Sequence, residues 1–125
     1  MTRDELIDII RKIQEDFENG TVNDPEIDSF AEIVEKEEDL QTLLMLKRIM
    51  SDDVAKFTYV KKGGETRVAY GTRDPKIINS ITSAAPPADK KRTSAVFSYF
   101  DIEKMDWRCF LPQNLHLINT EYVTE

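Results

Sequence analysis

The feature that most constrains this chain is a break in composition after Asp53. Residues 1–53 carry 16 acidic and 6 basic side chains, a net of −10, and only two aromatic residues, Phe17 and Phe30. Residues 54–125 carry 8 acidic and 11 basic side chains, a net of +3, with Trp107, four Tyr and four Phe. Acidic, Leu/Ile-rich sequence favours helix, whereas aromatic and β-branched sequence favours strand. The expected fold class is therefore α+β, with two or three acidic helices in residues 1–53 followed by a small five-stranded β-barrel domain in residues 54–125. The whole chain carries −7, a charge that works against coating a polyanion or an anionic lipid surface. One Cys excludes an internal disulfide, and no apolar run approaches the length of a bilayer span. The expectation is a soluble protein of a reducing cytoplasm, with no membrane partner.

Helix signals are strongest at the N-terminus. Thr2 and Glu5 have capping-box spacing, and Leu6, Ile9, Ile10, Ile13 and Phe17 form one apolar stripe that stops at Asn19-Gly20. Asp24-Pro25 opens a second helix, with Ile27, Phe30, Ala31 and Val34 as its stripe. A third apolar set follows: Leu40, Leu43, Leu44, Leu46, Ile49 and Met50. Either Asp39 caps a new helix there, or one long helix runs on from Pro25. Because Leu43, Leu44, Met45 and Leu46 are consecutive, this segment is apolar over more than one face. It is either buried on several sides or forms an interface.

The second half reads as short strands. Lys56–Lys61 and Thr66–Gly71 flank the hairpin turn Gly63-Gly64. Asp74-Pro75 starts a helical turn reaching Ile81, and residues 83–94 have no apolar period and read as a mobile loop. Val96–Phe100 and Trp107–Leu111 form a second hairpin, Pro112-Gln113-Asn114 a tight turn, and Leu115–Ile118 a last strand. Strict alternation puts Trp107, Cys109 and Leu111 on one face, expected to be buried. A barrel of such strands closes its own edges.

Several of these segments together resemble a known pattern. Phe57-Thr58-Tyr59-Val60-Lys61-Lys62-Gly63-Gly64-Glu65-Thr66-Arg67, Gly71-Thr72, Tyr99-Phe100-Asp101, Trp107-Arg108-Cys109-Phe110 and Asn114-Leu115 are similar to small uncharacterised phage-type proteins with an SH3-like β-barrel. The likeness covers residues 54–119, and Cys109 stands where the pattern has Ser. It implies an SH3-like barrel and a phage or mobile-element origin, and it brings no established activity. The acidic helices lie outside it.

Candidate sites follow from side-chain chemistry. One His and one Cys are too few for a nucleophilic triad or a zinc centre. Asp101, Glu103 and Asp106 lack the spacing and central Gly of a calcium loop. Lys61-Lys62-Gly63-Gly64 lacks the spacing of a phosphate loop. The expectation is no enzyme, no metal and no cofactor. Lys61, Lys62, Arg67, Arg73, Lys90, Lys91, Arg92 and Arg108 form a candidate binding surface, interleaved with Tyr59, Tyr70, Tyr99 and Trp107. Basic grooves beside aromatic rings hold single-stranded nucleic acid in small barrels. Glu35, Glu37, Glu38, Asp39, Leu43, Leu46 and Met50 form a candidate surface for a protein partner or a second copy of the chain. A regulatory protein acting through protein–protein contacts is the leading expectation, and a nucleic-acid-binding barrel the alternative.

Overall fold

The computed structural model describes residues 1–82 and 95–123. The expected loop 83–94, and Lys90, Lys91 and Arg92 with it, lie outside the described residues. Helix α1 runs Arg3–Asn19, α2 Pro25–Phe30 and α3 Glu37–Met50. Strands β1 Ala55–Val60 and β2 Thr66–Thr72 follow, then helix α4 Pro75–Ile81. Strands β3 Phe97–Asp101 and β4 Asp106–Phe110 come next, then a 3-10 turn at Pro112–Asn114 and β5 Leu115–Asn119.

The helix boundaries have local causes. The Glu5 backbone N–H donates to Thr2 Oγ1 at 3.2 Å, and Gly20 closes α1 with φ 65°. Asp24 Oδ1 accepts from the Glu26 and Ile27 N–H groups at 3.0 and 3.2 Å, so Pro25 enters α2 where its missing N–H is harmless. Neither expectation for the third apolar set holds. A turn at residues 31–36 breaks the chain after α2, and α3 begins at Glu37, with Asp39 in its first turn rather than at its cap. Acidic Glu37, Glu38 and Asp39 favour the positive end of the helix there.

Helix α3 is the centre of the molecule. It packs against α1 and α2 on one side and against β1, β2 and β5 on the other. That is why Leu43, Leu44, Leu46, Ile49 and Met50 are all buried. Leu43, Leu46 and Met50 therefore supply core, and this corrects their place in the candidate partner or dimer surface: of the two alternatives for this segment, burial on several sides holds, because the sheet covers the face that α1 and α2 leave.

The sheet is antiparallel, in the order β4-β3-β2-β1-β5. It is not closed: β4 and β5 are its two edges. Only Gly71↔Asp101 and Thr72↔Phe100 pair β2 with β3, and a bulge between Thr58 and Tyr59 bends β1 against β5. The expected closed barrel is thus an open, curved sheet that wraps an aromatic cluster. Phe57, Tyr59, Phe97, Tyr99 and Phe110 pack with ring centroids 4.8 to 6.2 Å apart. Gly71 makes this possible. A Cβ built there would lie 2.5 Å from Tyr99 Cδ2 and 3.3 Å from Phe57 Cε1.

The composition break near Asp53 does not separate two cores. One cluster of buried side chains joins Leu6, Ile13, Phe30 and Leu46 with Phe57, Phe97 and Phe110. Polar clips cross the same boundary. The Thr72 hydroxyl donates to Asp53 O at 2.8 Å, and the Arg73 N–H to Met50 O at 2.9 Å. Helices and sheet each bury an apolar face that only the other can cover. Among the described residues, no helix is long and apolar enough to cross a membrane.

Strand β4 faces the other way from the expectation. Phe97↔Phe110 and Tyr99↔Arg108 are paired, so Phe110 and Arg108 share the inward face with Phe97 and Tyr99. Cys109 is exposed and Trp107 half-buried, its ring edge-on to the buried Phe100 at 5.8 Å. A one-residue difference in register turns every side chain of a strand over. Here the buried ring of Phe110 set the choice.

Candidate functional site

The site begins at the β1–β2 hairpin. The Lys61 N–H donates to Glu65 O at 2.7 Å and the Gly64 N–H to Lys61 O at 2.9 Å. Gly64 sits at φ 90°, where a side chain would be strained. This tight turn holds Lys61 and Lys62 at its tip, both exposed. Beside it, the end of β4 and the 3-10 turn bring in Arg108, Cys109, Phe110 and Asn114. Together with Tyr59, Val60, Val96 and Leu111 these residues line an open pocket of about 640 Å³. Its size is that of an ordinary ligand site. Among the described lining residues none carries a carboxylate, and three are cationic.

Behind the pocket lies a polar layer built by cross-strand pairing. Tyr59 is opposite Arg67 on β1–β2, and Tyr99 is opposite Arg108 on β3–β4. The Tyr59 and Tyr99 hydroxyls share a hydrogen bond of 2.9 Å. Burial, and then that bond, push the Tyr99 phenol well above the usual tyrosine range, so it stays neutral. The Tyr59 and Phe110 rings stack at 4.8 Å. Two positions beyond Tyr99 on the same face is Asp101, fully buried. Its Oδ1 accepts from the Glu103 and Lys104 N–H groups at 2.9 and 3.0 Å, which fixes the β3–β4 turn. Its Oδ2 accepts a hydrogen bond from Arg67 Nη2, and Arg108 Nε lies 3.8 Å from the same oxygen. Burial works most strongly against the charge on Arg67, but the Asp101 hydrogen bond and the electrostatic attraction of Asp101 and the two tyrosine hydroxyl groups together outweigh it and raise the guanidinium pKa.

The candidate basic surface therefore divides. Lys61, Lys62 and Arg108 meet at the pocket, with Arg67 behind them. Arg73 does not join them, which corrects its place in the expected surface. It donates to both Glu26 carboxylate oxygens at 2.7 and 3.0 Å and to Ser98 O at 2.8 Å, and it lies 4.1 Å over the Phe97 ring. It is a clip between α2 and the sheet. Burial favours the neutral acid at Glu26, but Arg73 and then Lys47 hold the carboxyl down at about 2.

The acidic candidates Glu35, Glu37, Glu38 and Asp39 are exposed. Glu35 and Asp39 border a second hollow of about 290 Å³ with Ile33, Pro112, Leu115 and His116. His116 is exposed beside it rather than placed among catalytic partners. Among the described residues there is no group of three or more metal-ligating side chains. The pocket roles of Phe110, Cys109 and Asn114 were not foreseen from sequence. The signal was the pairing of the second hairpin: once Phe97 is inward, so is Phe110.

A family model described as WYL_2, Sm-like SH3 β-barrel fold, matches residues 43–116, which run from within α3 into β5. No curated protein and no solved structure matches the chain. The matched span covers more than half of the chain, contains the whole pocket and takes in the buried end of α3 that the sequence pattern had left outside. This chain belongs to the WYL_2 family of Sm-like SH3 β-barrel folds.

Proposed function

We propose that the protein is a non-enzymatic regulatory binding module whose basic pocket holds the phosphate backbone of single-stranded nucleic acid. The observation that carries this reading is the convergence of Lys61, Lys62 and Arg108 on one pocket whose described lining residues include no carboxylate. Phosphate groups are bound through such local cation density even where the total charge is unfavourable. The −10 of residues 1–53 lowers the long-range attraction, so binding is local and steeply salt-dependent. The test is anisotropy of a labelled oligothymidylate against the full chain at several salt concentrations. Binding in the micromolar range at physiological salt, weakened by the double substitution Lys61→Ala/Lys62→Ala, supports the reading. Absence of micromolar binding refutes it.

A second reading is protein capture by the acidic turn. It is favoured by the exposed Glu35, Glu37, Glu38 and Asp39 beside the hollow at Ile33 and Leu115. In a phage or mobile-element setting the partner is a basic host or phage protein in the cytoplasm. Nuclease-resistant capture of one partner, lost on Glu35→Lys/Asp39→Lys, distinguishes this reading from the first.

A further inference from the structure

The pocket's three described cations are not equivalent. Asp101 offers one negative charge to two guanidinium groups. Its Oδ1 is taken by two backbone N–H groups, and its Oδ2 is hydrogen-bonded by Arg67, whose side chain is 16% exposed. Arg108 reaches that oxygen only at 3.8 Å, beyond hydrogen-bond range, and 43% of its side chain is exposed. The three groups together carry a surplus of one positive charge, and burial of Arg67 leaves the surplus on Arg108. Arg108 is thus aligned by Asp101 without being neutralised by it. Lys61 and Lys62 stand at a hairpin tip, on flexible stems, as point charges.

Resting on the proposed reading of the pocket, we infer that Arg108 is its specificity-determining residue, taking one ligand phosphate through the fork of its guanidinium while Arg67 keeps Asp101 paired. A planar fork matches two phosphate oxygens, and a lysine at the same place supplies charge without that geometry. The lysine pair adds affinity without selecting orientation.

The test compares the intact chain with Arg108→Ala and Arg108→Lys, using the labelled oligothymidylate over a range of salt. Arg108 is on an edge strand and partly exposed, and unchanged melting temperatures confirm that both variants are folded. Arg108→Ala is expected to weaken binding about tenfold and to reduce the log–log salt slope by about 0.7, the value for one phosphate on a single strand. Arg108→Lys is expected to keep the full slope yet lose several-fold in affinity. Unchanged slope and affinity in Arg108→Ala, or full affinity in Arg108→Lys, overturns the inference and leaves the pocket reading standing. An intact chain that fails to bind overturns both.

Discussion

Arg67 and Asp101 are 34 residues apart in the chain, yet a hydrogen-bonded ion pair joins them inside the fold. Asp101 is fully buried, so bulk solvent does not reach its charge. Removing Arg67 takes away the hydrogen-bonded cation and leaves the buried carboxylate with two turn N–H groups and Arg108 at 3.8 Å, and Arg67→Met is expected to destabilise by about 3 kcal/mol. The double variant Arg67→Met/Asp101→Asn should lose clearly less than the two single variants together. Urea unfolding of the four proteins in this cycle checks it, and strict additivity would contradict the pairing.

Acid sensitivity is expected at Glu26. Its folded pKa of about 2 lies below the ordinary 4.5. A depressed carboxylate pKa contributes stability that is complete above the unfolded value and is lost as pH falls through the folded one. Stability should thus decline between pH 4.5 and about 2, with up to about 3 kcal/mol from this group. In Glu26→Gln that share of the decline should be missing when thermal melts are compared across the window. Parallel pH profiles for the two proteins would count against the Arg73 clip.

The orientation of β4 has a direct chemical readout. Cys109 is exposed, so its thiol should react with a disulfide reagent in the native state at nearly the rate seen in denaturant. Trp107 is half-buried over Phe100. Trp107→Ala should cost about 2 kcal/mol, less than the 3–5 kcal/mol of a fully buried aromatic ring. A thiol that reacts only after unfolding would reverse the assignment of faces.

Separating the halves should fail. Leu46, Ile49 and Met50 are fully buried in the core shared with the sheet, so residues 54–125 alone should lack a cooperative thermal transition. A cooperative melt of that fragment, followed by circular dichroism, would show that the shared core is dispensable.

Gly71 is expected to tolerate no side chain. The Cβ of Gly71→Ala would meet the fully buried ring of Tyr99, which is already held edge-on against Phe57 at 5.0 Å. Crowding of this kind costs about 1–3 kcal/mol. A melting temperature equal to that of the parent chain would mean that the ring has room to move.

Local signals determined much of this protein. Thr2, Gly20, Asp24-Pro25, Gly63-Gly64 and Asp74-Pro75 each act within a few residues through caps and turn geometry, and each marks an element boundary seen in the structure. The basic hairpin was legible for the same reason, since Lys61 and Lys62 are held by the turn that follows them. Tertiary structure decided what depends on neighbours distant in sequence. It assigned Leu43, Leu46 and Met50 to a core rather than an interface, because the sheet lies on the far side of α3. It turned Cys109 outward and Arg108 inward, because register follows from which rings fill the core. It took Arg73 into a clip with Glu26 and left Arg108 at the pocket. Charge and periodicity name the candidate residues, but only pairing across strands settles which charges are already neutralised.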